Sequence, residues 1–266
     1  MCFGPNSRPP VAPMEGAAID ARRLVLEAAD GDRVAAFEAR AGEQPSRAAV
    51  LVLPDVRGLV AYYEELALRF AEAGCDALVI DYFGRSAGSE RDRGDSFDFR
   101  SHVEQTTWDG LRADVSAAAT HLASAADRAR RLFSVGFCFG GRLSFLCATL
   151  REPAFAGVVG FYGVVAGPGR AGMPAPLDEA RAGRIAAPVL GLFGGADEAI
   201  PGESVDAFGA ALDAAGVEHE LVSYPGAPHS FFDRKADEHA DASADAWRRV
   251  LSFIERHTTV RAAPTG

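Results

Sequence analysis

The most informative stretch of the sequence lies near the middle of the chain and reads Ser134-Val135-Gly136-Phe137-Cys138-Phe139-Gly140-Gly141. It joins an apolar, strand-like segment to a segment with helical periodicity. Glycines stand two places before and two places after Cys138, which is the pattern of a nucleophile elbow. Bulky side chains at these two places would clash in so sharp a turn. We therefore predict that Cys138 is a nucleophile; the alternative is a small buried residue beside packing glycines.

On both sides of this junction the chain alternates between strand-like and helix-like segments. Short apolar runs are typical of strands that are buried on both faces. Asp30-Gly31-Asp32 separates two further strand-like segments and indicates a hairpin. This alternation predicts an α/β fold: a mostly parallel sheet with helices on both faces and an antiparallel hairpin at its N-terminal end. The predicted strands are 24–28, 34–38, 48–53, 77–80, 131–136, 157–161, 189–193 and 218–224, and the predicted helices are 62–73, 102–125, 139–150, 205–215 and 237–257.

Length and composition favour a single folded domain. The chain has 266 residues, of which 48% are hydrophobic and 24% charged, values that are typical of globular proteins. A chain of this length can bury a large core as one domain. We see no internal repeat and no linker within the alternating pattern. We predict an irregular arm over residues 1–18, one α/β domain over 19–258 and a tail over 259–266.

The charge balance argues against nucleic acid as a partner. With 27 basic and 37 acidic residues, the net charge is −10, whereas binding to a phosphate backbone needs clustered Lys and Arg. The four cysteines form no C-x-x-C pair and no short spacing with histidine, which argues against a zinc site or a disulfide scaffold. Unpaired cysteines favour a reducing compartment. Because we find neither a signal-peptide pattern nor a membrane-length apolar run, we expect a cytoplasmic protein.

Two further segments supply a carboxylate and an imidazole, each after a predicted strand. Asp197 ends Gly194-Gly195-Ala196-Asp197, and His229 lies in the loop Tyr224-Pro225-Gly226-Ala227-Pro228-His229. Taken alone, the aspartate would be a turn or cap residue and the histidine a surface residue. However, ligands bind at the carboxyl ends of strands in such sheets. The chain order nucleophile, acid, histidine is that of α/β hydrolases, so we predict a triad of Cys138, Asp197 and His229.

A fourth candidate segment, Leu53-Pro54-Asp55-Val56-Arg57-Gly58, follows the first buried strand. In α/β hydrolases the loop at this place donates one backbone N–H to the oxyanion hole, and the residue after the nucleophile donates the other. This assigns the two N–H groups to Val56 and Phe139. The glycine-rich segments match neither a P-loop nor the dinucleotide-binding fingerprint. We therefore expect no organic cofactor and no metal.

Together these motifs resemble the dienelactone hydrolase (carboxymethylenebutenolidase) family of the α/β-hydrolase fold, from about residue 21 to residue 256. The most specific motif is Gly136-Phe137-Cys138-Phe139-Gly140-Gly141, because this family uses cysteine where most α/β hydrolases use serine. The resemblance implies hydrolysis of a small ester or enol-lactone through a covalent acyl-enzyme. Cys138 would be the nucleophile, His229 the base and Asp197 the orienting acid.

The resemblance also implies residues that contact the substrate. Asp81-Tyr82-Phe83-Gly84-Arg85 looks like the family's D-x-Y-x-R segment, whose arginine holds the substrate carboxylate. Arg85 would then bind substrate, and Tyr82 would line the pocket or pack beneath it. The family has a second carboxylate-binding arginine four residues after the histidine. Here that place is Asp233 and Arg234 follows; if Arg234 does not point inward, the substrate differs.

A second departure from the family pattern concerns activation of the thiol. The type member of the family has a glutamate where this chain has Asp55, and that carboxylate takes part in activating the nucleophile. Aspartate is one methylene shorter. Asp55 is therefore either a thiol-activating residue or a turn residue after Pro54, and in the second case a plain cysteine–histidine pair would carry the activation.

Two other functions stay open on these residues. The first is a general carboxylesterase or thioesterase, which would share every catalytic residue. The second is a non-catalytic binding protein that kept the fold, because a fold alone never proves a function. The expected partner is a small ester or lactone, with neither nucleic acid nor membrane, and the chain is expected to be a monomer or a small homo-oligomer.

Overall fold

Eight strands form one mostly parallel sheet in the computed structural model, which describes residues 7–42, 46, 48–89, 97–124, 131–233 and 235–258. In chain order the strands are β1 (Ile19–Glu27), β2 (Arg33–Ala41), β3 (Ala48–Leu53), β4 (Asp76–Ile80), β5 (Arg131–Phe137), β6 (Gly157–Phe161), β7 (Val189–Gly194) and β8 (His219–Tyr224). Their order across the sheet is β1-β2-β4-β3-β5-β6-β7-β8. β2 pairs antiparallel with β1 and β4, and the remaining pairs are parallel. The predicted sheet and its N-terminal hairpin are confirmed.

Helices cover both faces of this sheet. They are α1 (Ala61–Glu72), α2 (Gly84–Ala87), α3 (Phe99–Gln105), α4 (Trp108–Ser124), α5 (Phe139–Cys147), α6 (Pro176–Arg181), α7 (Gly202–Ala214) and α8 (Ala240–Thr258). Gly157 and Gly160 lie on opposite faces of β6, since side chains alternate along a strand. A Cβ atom at Gly157 would meet Phe253 of α8, and one at Gly160 would meet Phe145 of α5.

Burial on both faces explains why the central strands are continuous apolar runs. Every residue of β3, β4, β6 and β7 is buried. A strand with helices on both faces has no solvent-facing side, so its sequence loses the usual apolar–polar alternation. On one face, the rings of Phe70 in α1 and Trp247 in α8 lie 4.8 Å apart. On the other, Phe145 of α5 and Phe208 of α7 lie 5.5 Å apart.

The prediction of one helix over residues 102–125 was wrong, because two helices meet there. Thr106 ends α3 in an extended conformation, and its hydroxyl donates to the carbonyl of Val103. Thr107 then caps α4 by accepting a hydrogen bond from the N–H of Gly110 at 3.1 Å. Threonine is a favoured cap because its side-chain oxygen satisfies a helix N–H that has no intrahelical partner. The threonine pair was the sequence signal for this break.

The structure describes most of the predicted N-terminal arm and none of the predicted C-terminal tail. Residues 7–18 form neither helix nor strand before β1. The N–H of Met14 donates to Glu72 of α1 at 3.0 Å, so the arm contacts the body there. Residues 1–6 and the predicted tail 259–266 lie outside the described residues. Across the described part of the chain, no helix combines the length and apolar character that a membrane span requires.

Candidate active site

Cys138 stands in a strained turn between β5 and α5. Its backbone has φ 55° and ψ −110°, a left-handed conformation that residues other than glycine rarely adopt. Its N–H donates to the carbonyl of Phe161, the last residue of β6, at 3.0 Å. A Cβ atom at Gly136 would overlap the carbonyl of Gly140, so the turn closes only with glycine before the cysteine. The local geometry is that of the elbow expected from the sequence.

The start of α5 points its first amides toward the turn. The N–H of Arg142 donates the first hydrogen bond of the helix, to the carbonyl of Cys138 at 3.1 Å. The N–H of Phe139 lies before this bond, among the first amides of a helix, for which the helix itself supplies no acceptor. A Cβ atom at Gly140 would overlap the carbonyls of Leu53 and Pro54. The loop after β3 therefore lies directly against the start of α5. Because Val56 is in this loop, both predicted oxyanion donors belong to segments that meet beside Cys138.

The predicted acid and histidine are hydrogen-bonded to each other. His229 Nδ1 lies 2.7 Å from Asp197 Oδ2, and the carboxyl group is buried. The other oxygen of that carboxyl group accepts the N–H of Ala199 at 3.0 Å, which fixes its orientation. A carboxylate only accepts hydrogen bonds, so Nδ1 carries the proton and Nε2 is the acceptor of the neutral imidazole. This is the arrangement that a general base requires.

The end of β6 connects this pair to the cysteine. Phe161 accepts the N–H of Cys138, and the next residue, Tyr162, packs its ring against His229 with a centroid distance of 4.9 Å. The three predicted triad residues follow β5, β7 and β8, so all of them lie at the carboxyl edge of the sheet. Ligands bind at this edge in open α/β sheets. The catalytic roles themselves stay predictions.

Asp55 is fully buried and has the contacts of a turn residue. One carboxylate oxygen accepts the N–H of Arg57 at 2.8 Å, which is the usual hydrogen bond of an aspartate turn. The other oxygen lies 3.7 Å from Nε of the same arginine. The N–H of Asp55 donates to the hydroxyl of Tyr63 at 3.0 Å. These contacts match the second of the two predicted roles, and thiol activation stays a prediction.

Arg85 points into a group of protein carboxylates. Its guanidinium lies 2.7 Å from Asp114 and 2.6 Å from Asp30, and it also contacts Asp32. Burial raises the pKa of Asp114 to about 6, although Arg85 opposes the shift. A substrate carboxylate would have to displace these partners. The motif could not show them, since Asp30 and Asp32 belong to the hairpin turn more than fifty residues earlier in the chain.

Tyr82 and Arg234 are the other residues that the resemblance places at the substrate. Tyr82 is buried, its hydroxyl donates to the carbonyl of Pro54 at 2.8 Å, and its ring lies 5.3 Å from that of Phe139. Tyr82 thus contacts the loop after β3 and the first residue of α5, and its predicted place in or beneath the substrate pocket stays a prediction. Arg234 lies outside the described residues. Asp233, at the family's arginine position, is buried and accepts the hydroxyl of Tyr162 at 2.7 Å.

Sequence reasoning did not single out Tyr162, although a signal was present. Cys138 and Asp55 were singled out because they come just after a predicted strand, and Tyr162 directly follows the strand predicted over 157–161. Because its neighbours in the sequence are apolar, Tyr162 has the pattern of an aromatic residue of the core. In the described stretches, no group of three or more His, Cys, Asp and Glu side chains could hold a metal ion.

Comparison with known proteins finds relatives over most of the chain. The family model described as "Dienelactone hydrolase family" matches residues 34–258. A protein of Escherichia coli O157:H7 named "Putative carboxymethylenebutenolidase" is 32% identical over 234 residues, which cover 85% of this chain and 84% of that protein. A protein of the same name from Methylorubrum extorquens is 31% identical over 258 residues, covering 93% and 87%.

A solved structure extends the agreement to three dimensions. The crystal structure described as "Putative Dienelactone Hydrolase" from Klebsiella pneumoniae superposes with a TM-score of 0.77 at 29% identity, covering 90% of this chain and 99% of that one. The resemblance drawn from the motifs is thereby confirmed. The chain belongs to the dienelactone hydrolase family, and it is a hydrolase that acts on ester or lactone bonds.

Proposed function

We propose that the protein cleaves a small ester or enol-lactone through Cys138, His229 and Asp197, with a covalent acyl-enzyme as intermediate. The observation that carries this proposal is the 2.7 Å contact between His229 Nδ1 and Asp197 Oδ2, at the same sheet edge as the strained turn of Cys138. A nucleophile, a base and a group that orients the base are the parts that covalent acyl transfer requires.

The first half of the reaction forms the acyl-enzyme. Cys138 Sγ attacks the carbonyl carbon while His229 takes the thiol proton. The backbone N–H groups of Val56 and Phe139 stabilise the tetrahedral oxyanion, and the loss of one such donor typically costs ~10²–10³ in turnover. When the intermediate collapses, the C–O bond breaks and His229 gives its proton to the departing alcohol or enol oxygen. The product of this half is a thioester on Cys138.

The second half releases the acid and restores the thiol. His229 now takes a proton from water, and the hydroxide attacks the thioester carbonyl. The C–S bond breaks, the sulfur recovers a proton and the carboxylic acid leaves. The N-terminus of α5 favours the anionic sulfur at both stages, because the helix dipole places partial positive charge beside Cys138. A thiolate is a good leaving group, so activated esters and lactones suit this site better than amides.

One observation favours a second candidate, a general carboxylesterase. The contacts of Arg85 with Asp30, Asp32 and Asp114 leave its guanidinium engaged by protein carboxylates. On this ground, a neutral ester would be preferred over a substrate that carries its own carboxylate. The two candidates share the triad, and turnover of a matched acid and methyl ester of one lactone separates them.

Steady-state hydrolysis of a dienelactone and of p-nitrophenyl acetate tests the proposed function. We expect Cys138→Ala to abolish both activities. Cys147→Ala is the matched control, because this second cysteine is buried in the same helix and burial raises its thiol pKa to about 12. The control is expected to retain turnover. Retention of more than a few per cent of activity in Cys138→Ala would refute the nucleophile assignment.

A further inference from the structure

The geometry points to Tyr162 and Asp233 as positioning residues that set the orientation of the His229 imidazole. This inference rests on the proposed function of His229 as the base. Neither residue touches the reacting atoms in the mechanism above. They act by joining the loop that carries His229 to the end of β6, where the N–H of Cys138 is also bound.

Tyr162 is held in a conformation that its residue type disfavours. It is fully buried and has φ 39°, in the left-handed region where a bulky side chain is strained. Its N–H donates to the carbonyl of Leu192 in β7 at 2.8 Å. Such strain persists only where the surrounding structure over-determines it, and it clusters at functional sites. Ser230, directly after His229, has a similar left-handed φ of 65°.

The tyrosine hydroxyl is bound to a carboxylate on the histidine loop. Tyr162 Oη donates to Asp233 Oδ2 at 2.7 Å, and both side chains are buried. Burial, followed by the charge of Asp233, raises the pKa of the Tyr162 hydroxyl well above its usual value, so the group stays a donor. A hydrogen bond to a charged acceptor is stronger than a neutral one. It links residue 162 to residue 233, four places after His229.

The ring of Tyr162 then supports the imidazole itself. The two ring centroids lie 4.9 Å apart with an interplanar angle of 57°. Asp197 holds the imidazole at Nδ1 and so fixes one point of the ring. Contact with the tyrosine ring restricts the tilt of the imidazole plane at that point. The N–H of Cys138 donates to the carbonyl of Phe161, the residue before the tyrosine. The end of β6 therefore helps to place both the cysteine and the imidazole that must approach its sulfur.

Three variants test the inference by separating kcat from KM. Tyr162→Phe removes only the hydroxyl, and we expect kcat to fall ~10-fold with KM within twofold, because small misplacements of catalytic groups are costly. Asp233→Ala is expected to behave in the same way. Asp233→Asn keeps an acceptor oxygen and is expected to recover most of the lost kcat. Thermal unfolding of each variant checks that it is folded.

Tyr224→Phe is the matched control, because its hydroxyl also donates to a carboxylate. That bond, to Asp245 at 2.9 Å, joins β8 to α8 instead of joining β6 to the histidine loop. The control is expected to keep wild-type kcat. A folded Tyr162→Phe variant with kcat within twofold of wild type would overturn the inference, and so would an equal loss in Tyr224→Phe or equal losses in Asp233→Asn and Asp233→Ala.

A readout without turnover separates this inference from the proposed function. The proton between His229 Nδ1 and Asp197 is expected to give a low-field NMR resonance, since the two atoms lie 2.7 Å apart. We expect this resonance to weaken or broaden in Tyr162→Phe and to stay unchanged in Tyr224→Phe. If hydrolysis does not depend on Cys138, the proposed function fails, yet the NMR comparison still decides whether Tyr162 positions the imidazole. An unchanged resonance in Tyr162→Phe would overturn the inference.

Discussion

At the residue scale, the surroundings of the cysteines separate the proposed nucleophile, Cys138, from the two buried thiols that the structure describes. Burial raises the pKa of Cys75 and Cys147 to about 12, so these thiols stay protonated at neutral pH. Cys138 is partly exposed and stands at the start of α5, so its sulfur is the one that a substrate can approach among the thiols of the described residues. The glycines around it are required by contact, since their neighbours are backbone atoms that cannot move aside.

Gly140→Ala tests this requirement. The added methyl group would overlap the carbonyls of Leu53 and Pro54, so we expect unfolding by urea to show a loss of more than ~2 kcal/mol. Hydrolysis is expected to fall as well, because the overlap pushes the loop after β3, which carries the proposed oxyanion donor Val56, away from the elbow. Gly202→Ala is the control: nothing lies within 4 Å of a Cβ atom there, at the start of α7. Equal stability of the two variants would contradict the account.

At the element scale, one arginine of α5 organises the segment after β6. Arg142 is buried, and its guanidinium donates to the carbonyls of Gly167 at 2.7 Å and Pro174 at 2.9 Å, among others. Burial lowers the pKa of this arginine. The Arg142 guanidinium is bound by backbone carbonyls and thereby holds the irregular loop after β6 against α5. This loop begins just after Tyr162.

Arg142→Met is expected to destabilise the fold by ~2–3 kcal/mol, because the carbonyls of Gly167, Met173 and Pro174 lose their donor at once, and the bond to Met173 is buried. Urea unfolding measures the loss. Arg181→Met provides the comparison, since that side chain is exposed and pairs only loosely with Asp178 at 3.7 Å. The comparison variant is expected to be as stable as wild type. A neutral Arg142→Met substitution would show that the loop holds its place without the guanidinium.

The elements differ in how well the sequence predicts them. Continuous apolar runs located β3 and β6 with their observed bounds, since burial on both faces leaves a clear pattern. Helix α6 was missed because it has only six residues and follows a glycine- and proline-rich stretch. Hydrophobic periodicity needs more than one turn to be visible. The helix break at Thr106 was missed because alanine-rich periodicity continues on its C-terminal side.

At the scale of the whole molecule, contacts between distant segments are what the sequence could not supply. Each residue of the proposed triad comes shortly after a predicted strand, so the sequence was enough to name the three candidates. The carboxylates around Arg85 could not, because they come from a hairpin and a helix that only the folded chain brings together. The Tyr162–Asp233 bond likewise spans 71 positions.

The buried carboxyl group of Asp114, which is bound to Arg85, predicts that the stability of the protein depends on pH. Burial raises the pKa of Asp114 from its usual 3.8 to about 6, so the folded protein holds this proton more tightly than the unfolded chain. The contribution of Asp114 is therefore fully present below about pH 4 and is lost as the pH rises through about 6. We expect the stability of wild type relative to Asp114→Asn to fall by ~2 kcal/mol between pH 4 and pH 7.

Urea unfolding of both proteins at several pH values measures this difference. Asp109→Asn is the control, because its side chain is 87% exposed on the same helix. Relative to this control, wild type is expected to show no change with pH. A stability difference between wild type and Asp114→Asn that stays constant from pH 4 to pH 7 would contradict the assignment.

Trapping the proposed acyl-enzyme tests directly whether Cys138 is the nucleophile. His229→Ala is expected to slow deacylation because it removes the proposed base, and p-nitrophenyl acetate supplies an activated acetyl group. After rapid quenching, intact mass and peptide mapping are expected to locate one acetyl group on Cys138. In the double variant that also carries Cys138→Ala, this adduct is expected to disappear. An acetyl group on another residue, with Cys138 unmodified, would contradict the account.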